Sequence, residues 1–171
     1  MFQFIQSEVF LTKRKIPLLI LAALLTINTS AFAIAGTTPP VNKSYEQKVF
    51  QLVNAERQKN GLPNLYYDSA VADVARTKSQ DMADKKYFAH NSPTYGMASD
   101  MLLKFGINWS AWGENIASGQ DTPEIVVKEW MDSPTHKKNI LSPNYSFIGV
   151  GYYVDSSGTP YWTQMFIDDN K

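Results

Sequence analysis

Residues 147–168, "FIGVGYYVDSSGTPYWTQMFID", decide the fold. Ile148, Val150, Tyr152 and Val154 alternate with their neighbours at a period of two, the spacing that sets one row of side chains on one face of a strand. "DSSG" at 155–158 supplies turn chemistry. The chain then returns with Trp162, Gln164 and Phe166 alternating against Tyr161, Thr163 and Met165. An antiparallel hairpin is predicted.

Upstream the period changes to that of a helix. In "SYEQKVFQLVNAERQKNGL", Val49, Leu52, Val53 and Glu56 share a face, Ser44 is placed to cap the start, and Gly61 follows the end. "PNLYYD" reads as a brief extended piece, after which Asp68 caps a second helix whose stripe is Val71, Val74, Ala75, Lys78 and Met82. The "SPT" at 92–94 is expected to open a third helix reaching Phe105 and stopping at Gly106. "INWSAWGENIASG" lacks a helical period and reads as a loop leading into a short strand. "DTPEIVVKEWMD" is a fourth helix, with Thr122 or Asp121 as cap and Pro123 at its start. Helices first and a hairpin last predict an α+β domain in which helices cover the sheet.

The N-terminus follows different physics. Lys13, Arg14 and Lys15 lead into the apolar run 16–27 and then the small residues of "AFA". That run is shorter than the ~20 residues a spanning helix needs, so residues 1–33 read as a secretory signal peptide cleaved after Ala33. Residues 34–43, with Pro39 and Pro40, read as a flexible leader, and 44–171 as one domain with no integral membrane segment. A secreted or periplasmic location follows. Losing Lys13, Arg14, Lys15 and Glu8 takes three cations and one anion from a balanced 16 and 16, leaving a formal charge of −2. Such a balance argues against a nucleic-acid partner. The chain has no cysteine, so its fold rests on its core and not on disulfides. Oligomeric state is not legible.

The chain lacks a zinc-protease helix, a serine-hydrolase elbow, a phosphate-binding loop and a cysteine nucleophile. His90 in "FAHN", Glu114 in "GENIA" and His136 in "SPTHKKNIL" remain as candidates. They suit metal ligation or acid–base work, and each also has an ordinary structural reading. His136 is expected as the third residue of a short helix capped by Ser133, where free amides and the helix dipole favour a neutral imidazole. The aromatics Trp109, Trp112, Tyr152, Tyr153 and Trp162 read first as core and sheet cover.

"FAHNSP", "GENIA", "VVKEWMDSPTHKKNIL", "FIGVGYY" and "YWTQMFID" occur in an order that resembles the CAP superfamily, the SCP or pathogenesis-related-1 domains, in its bacterial branch. The resemblance spans about Val49 to Asp168. It implies a three-layer α-β-α sandwich with a small antiparallel central sheet and an open cleft. It further implies a cleft site of two histidines and two acids that in some members binds zinc or another divalent cation. His90 and Glu114 match the first histidine and the glutamate. Tyr161 stands where the strand motif of other branches has its second histidine, which makes His136 the replacement. The second acid falls on Ser133, with Asp132 and Glu129 the nearest carboxylates. The metal set is therefore His90, Glu114 and His136. The resemblance also implies binding of a lipid, sterol or cell-envelope ligand, with Trp109, Trp112 and Gln164 as contacts. The competing reading is a metal-dependent, protease-like hydrolase with Glu114 as its base or as a metal ligand.

Overall fold

The computed structural model describes residues 42–169. The expected signal peptide, and all of the expected leader but its last two positions, lie outside the described residues. Five helices and four strands follow in the order α1 (Lys43–Lys59), β1 (Tyr66–Tyr67), α2 (Ser69–Lys85), α3 (Ala98–Lys104), β2 (Ala111–Ser118), α4 (Pro123–Asp132), α5 (Pro134–Ile140), β3 (Phe147–Val154) and β4 (Pro160–Asp168).

The hairpin is the centre of the sheet. Strand order is β1-β3-β4-β2, with β3–β4 and β4–β2 antiparallel and the two-residue β1 parallel to β3. Its turn is closed by Asp155, whose Oδ1 accepts from the Ser157 and Thr159 amides at 2.9 and 2.8 Å. Both sheet faces are buried. On one, Ile148, Val150, Trp162 and Phe166 meet Val49 and Val53 of α1, Val126, Val127 and Trp130 of α4, and Ile140 of α5. On the other, Met165 and Ile167 meet Val71, Val74 and Ala75 of α2 and Ala98, Met101 and Leu102 of α3. This is the α-β-α sandwich.

Two glycines set the spacing of the second face. A Cβ on Gly149 would lie 2.2 Å from the Ala72 amide nitrogen, and one on Gly151 would lie 2.2 Å from the Ala75 carbonyl carbon. The α2 backbone thus rests directly on β3, at a distance no side chain could share. In "FIGVGYY" these two residues fall on the face opposite Ile148 and Val150, so one strand presents an apolar row to one layer and bare backbone to the other.

Three details depart from the sequence reading. The α1 cap is Asn42, whose Oδ1 accepts from the Tyr45 amide at 3.3 Å, while Ser44 donates its hydroxyl to that same oxygen at 2.6 Å. The "SPT" at 92–94 opens no helix, and α3 begins only at Ala98. Ser92 instead pairs with Gly96 across a tight turn, with backbone bonds of 2.8 and 3.0 Å, and its hydroxyl donates to buried Asp81 at 2.6 Å. Finally, "AWGENIAS" is a full eight-residue strand. Local chemistry favoured a cap or a loop in the last two cases, and tertiary hydrogen bonds outweigh it.

Both sheet edges are closed by side chains. The carbonyls of Trp112, Glu114 and Ile116, alternate residues of β2, accept from the Tyr145 hydroxyl at 3.0 Å, Asn139 Nδ2 at 3.0 Å and Trp130 Nε1 at 3.3 Å. At the far edge, beyond β1, the Tyr152 amide donates to Glu46 at 3.2 Å. Glu46 is itself buried and takes a bidentate pair from Arg76 at 2.9 and 2.8 Å, linking α1 to α2.

The glycine contact is the most sensitive point of the fold. Gly149→Ala or Gly151→Ala is expected to destabilise by about 3 kcal/mol, because helix and strand must separate. Gly61→Ala, at φ +72° with nothing within 4 Å, should cost about 1 kcal/mol of backbone strain. Denaturant unfolding of the three variants measures this ranking.

Candidate functional site

His90 lies on the connection between α2 and α3, and the segment carrying it is tied down by two buried charges of α2. Lys78 is fully buried and donates to the carbonyls of Ala89 and His90 at 2.8 and 2.7 Å, with its ammonium 5.2 Å from the centre of the Tyr87 ring. Burial lowers its pKa, and the negative charges of Glu114 and Asp81 oppose that shift. Asp81 accepts at 2.6 Å from each of the hydroxyls of Tyr87, Ser92 and Thr94. Burial pushes the Asp81 carboxyl up, and these donors more than offset it, leaving its pKa below the usual value. A polar side chain in the apolar stripe of a helix was the one sequence signal for Lys78. Asp81, three residues after Lys78 and seven after Val74, falls on the same buried face and carried the same signal.

Glu114 comes from the middle of β2 and is buried. One oxygen, Oε1, sits 2.6 Å from His90 Nδ1, while Oε2 is enclosed without a hydrogen-bond partner. The neighbouring residues of "GEN" are structural. Gly113 leaves room for Tyr145, whose hydroxyl would lie 2.6 Å from any Cβ there. Asn115 Nδ2 donates to the His136 carbonyl at 3.1 Å and to Gln164 Oε1 at 3.0 Å, and its Oδ1 accepts from Asn139 at 2.8 Å. One asparagine therefore fixes α5 against β2.

His136 is the third residue of α5, as its spacing predicted, with Ser133 at the cap position and Pro134 next. Ser133 makes no capping bond through its side chain; its hydroxyl pairs with that of Thr135 at 3.1 Å. The far end of α5 is held by Arg57, a fully buried guanidinium that donates to the carbonyls of Ile140 and Ser142, both at 2.8 Å. A cation at a helix C-terminus suits the dipole.

His90 and His136 line one groove of about 430 Å³. Phe88, Ile116, Ala117 and Trp130 supply its apolar wall, and Glu129, Gln120 and Ser118 its polar side. The two histidines are biased in opposite directions. The Glu114 hydrogen bond raises the pKa of His90, outweighing burial, whereas burial and the charge of His90 lower that of His136. Near neutral pH the groove thus holds one imidazole drawn toward the cation and one kept neutral, a division of donor and acceptor roles.

The other candidates are placed elsewhere. Trp109 and Trp112 meet edge to face at 6.2 Å and pack beside the α3 core, away from the groove. Gln164 is fully buried, with Oε1 on Asn115. Of the two alternative acids, Glu129 lines the groove and accepts from Gln120 at 2.7 Å, while Asp132 is exposed and pairs with Lys128 at 2.6 Å. Among the described residues no three His, Asp or Glu side chains gather into a group that could hold a metal ion. The donor set at the groove is two histidines with a carboxylate behind one of them.

Among the described residues no helix is long and apolar enough to cross a membrane. In sequence, the chain is 55% identical over 131 residues to the uncharacterized protein YkwD of Bacillus subtilis, a match covering 77% of this chain and 50% of that protein. It is 35% identical to the uncharacterized membrane protein YlbC of the same organism, over 74% of this chain and 35% of that one. Its fold matches the crystal structure of an extracellular SCP-domain protein from Bacillus anthracis at 35% identity and a TM-score of 0.70, covering 74% of this chain and 41% of that one. An outer surface protein of Borrelia burgdorferi shares the fold at 19% identity and the same TM-score of 0.70, over 75% of this chain and 95% of that one. The chain spans about half or less of the length of the two Bacillus subtilis relatives. With residues 50–166 matching the cysteine-rich secretory protein family, the chain belongs to the CAP family.

Proposed function

We propose that the domain acts outside the cytoplasm as a binding module for a small amphipathic ligand, its polar head at His90 and His136 and its apolar body along Phe88, Ala117 and Trp130. The observation that carries this reading is one groove in which two oppositely biased histidines border an apolar wall. Small-ligand sites have this composition, mostly apolar with a few placed polar groups. The basic residues 13–15 with the apolar run 16–27, and the extracellular Bacillus anthracis relative, support the location.

A hydrolase reading has less behind it. The histidine pair could move a proton, but among the described residues no serine or threonine hydroxyl hydrogen-bonds either imidazole, so no side chain is activated as a nucleophile. A divalent cation would find two imidazoles, with Glu114 orienting His90 from behind. Two protein ligands make a weaker site than the three or four of a resident zinc centre.

The purified chain should bind a fluorescent fatty acid or a sterol saturably, with quenching of Trp130. His90→Ala should weaken binding about 10-fold through loss of a charge-assisted bond, and Ser118→Trp should block the groove. No saturable uptake of either probe, or uptake unchanged by Ser118→Trp, would overturn the assignment.

The electrostatics have their own readout. Imidazole NMR titration should give His90 a midpoint above the ordinary 6.5 and His136 one below it. Glu114→Gln should bring His90 down. His90, with its raised folded value, contributes stability that is present below pH 6.5 and lost as pH rises through the folded midpoint. His136 works in the opposite sense, its contribution being lost as pH falls through 6.5 toward its lowered midpoint. Coincident midpoints would remove the donor and acceptor roles assigned to the pair.

A further inference from the structure

A second groove, sharing no residue with the histidine groove, runs between α1 and the segment 64–67 and encloses about 440 Å³. Its walls combine two chemistries. Phe50, Tyr66 and Tyr67 supply aromatic surface, and Gln51, Gln58 and Asn64 supply carboxamides. No charged residue lines it.

Tyr66 is the most exposed large hydrophobic residue described, at 69%. It is nevertheless held in place, on a strand paired with β3 and with its ring 5.9 Å from that of Phe147. Phe50 and Tyr67 meet edge to face at 5.3 Å. The carboxamides are aligned as well: Gln58 Nε2 donates to Asn64 Oδ1 at 2.9 Å, leaving Gln58 Oε1 as an acceptor and Asn64 Nδ2 as a donor on one side of the groove.

The floor is rigid. Asn54 and Leu65 exchange two hydrogen bonds, with Asn54 Nδ2 donating to the Leu65 carbonyl at 3.1 Å and the Leu65 amide donating to Asn54 Oδ1 at 2.9 Å. Arg57 Nε donates to the Pro63 carbonyl at 2.9 Å and fixes the loop from the other side. The backbone that carries these rings and amides is thus ordered before a ligand arrives, which lowers the ordering entropy that opposes binding.

We propose that this groove is a binding site for an uncharged oligosaccharide. A sugar ring has one face of C–H groups, which stack on an aromatic ring, and an edge of hydroxyls that both donate and accept. Carboxamides, which also donate and accept, match that edge without the desolvation cost of a charge. An anionic ligand would call for a cation that this groove does not contain. An extended peptide would expose backbone groups suited to a free strand edge, and here Tyr66 and Asp68 already occupy the β3 edge through amide bonds to the Ser146 and Ile148 carbonyls at 2.8 and 3.0 Å.

The test is a titration of the full chain with chitotetraose and with cellotetraose, followed by amide NMR and calorimetry. Saturable binding of either sugar is expected, with shifts centred on Gln51, Gln58, Asn64 and Tyr66. Binding of only the first would show that the acetamido group is read. Tyr66→Ala, at an exposed position, should weaken it about 10-fold through loss of stacking, with Gln58→Ala acting in the same direction. His90→Ala should leave sugar binding intact, which separates this site from the histidine groove. No shift with either sugar at millimolar concentration, shifts unaltered in Tyr66→Ala, or tighter binding of a proline-rich peptide at the same residues would overturn the proposal.

Discussion

The contact of α2 with the bare backbone of β3 at Gly149 and Gly151 is the constraint on which the rest of the structure depends. With backbone against backbone there is no intervening side chain whose rotamer could absorb a shift, so α2 has one height above the sheet and one register along it. That register sets Lys78 and Asp81, in the C-terminal half of the helix, against the segment where the chain turns back. It also brings Ser79 to the sheet, where its hydroxyl lies 2.9 Å from that of Thr163 and 3.3 Å from the Gly151 carbonyl. The position of His90 is a consequence of this contact, transmitted through two carbonyls held by one buried ammonium.

The second half of the groove depends on the free edge of β2. An edge strand leaves alternate carbonyls without partners, and here three of them are taken by side chains from α4, α5 and the segment after α5. Closing the edge and placing His136 are therefore one event. Asn139 caps the Glu114 carbonyl while bonding Asn115, and Asn115 holds the carbonyl of His136. Glu114 thus belongs to both halves, its carboxylate on His90 and its carbonyl on the helix of His136.

Legibility followed the range of the interaction. The hairpin, the α2 stripe, the caps at Asp68 and Thr122 and the third-residue position of His136 depend on neighbours a few residues away, and the sequence period or cap chemistry exposes them. The turn at Ser92 was misread because a serine before a proline has the same local chemistry whether it caps a helix or bonds Asp81, eleven positions earlier. The length of β2 was hidden for a similar reason. Two glycines, two tryptophans and the missing helical period signal a loop locally, and antiparallel pairing with β4 along all eight residues makes a strand of the segment. Of the candidate site, His90, Glu114 and His136 stood out in the sequence, while the charges of α2 that hold the His90 segment showed only as polar breaks in an apolar stripe. Trp109 and Trp112, which read first as core and were ligand contacts only through the resemblance, pack with the α3 cluster.

The buried charges have a common logic in a chain without cysteine. Glu46, Arg57, Lys78, Asp81 and Glu114 are each buried, and each joins segments far apart in sequence: α1 to α2 and β3, α1 to the end of α5, α2 to the His90 segment, and β2 to His90. Apolar side chains of similar volume would give comparable or greater stability at such positions. They would not fix direction, because dispersion is indifferent to small rotations and a hydrogen bond is not. A half-exposed histidine on a loop can keep a fixed partner and a biased protonation state only if the loop itself cannot rotate. Lys78 and Asp81 provide that restraint from beneath. The polar interior of this small domain is thus best understood as the support of its groove, with stability supplied by the two apolar layers on either side of the sheet.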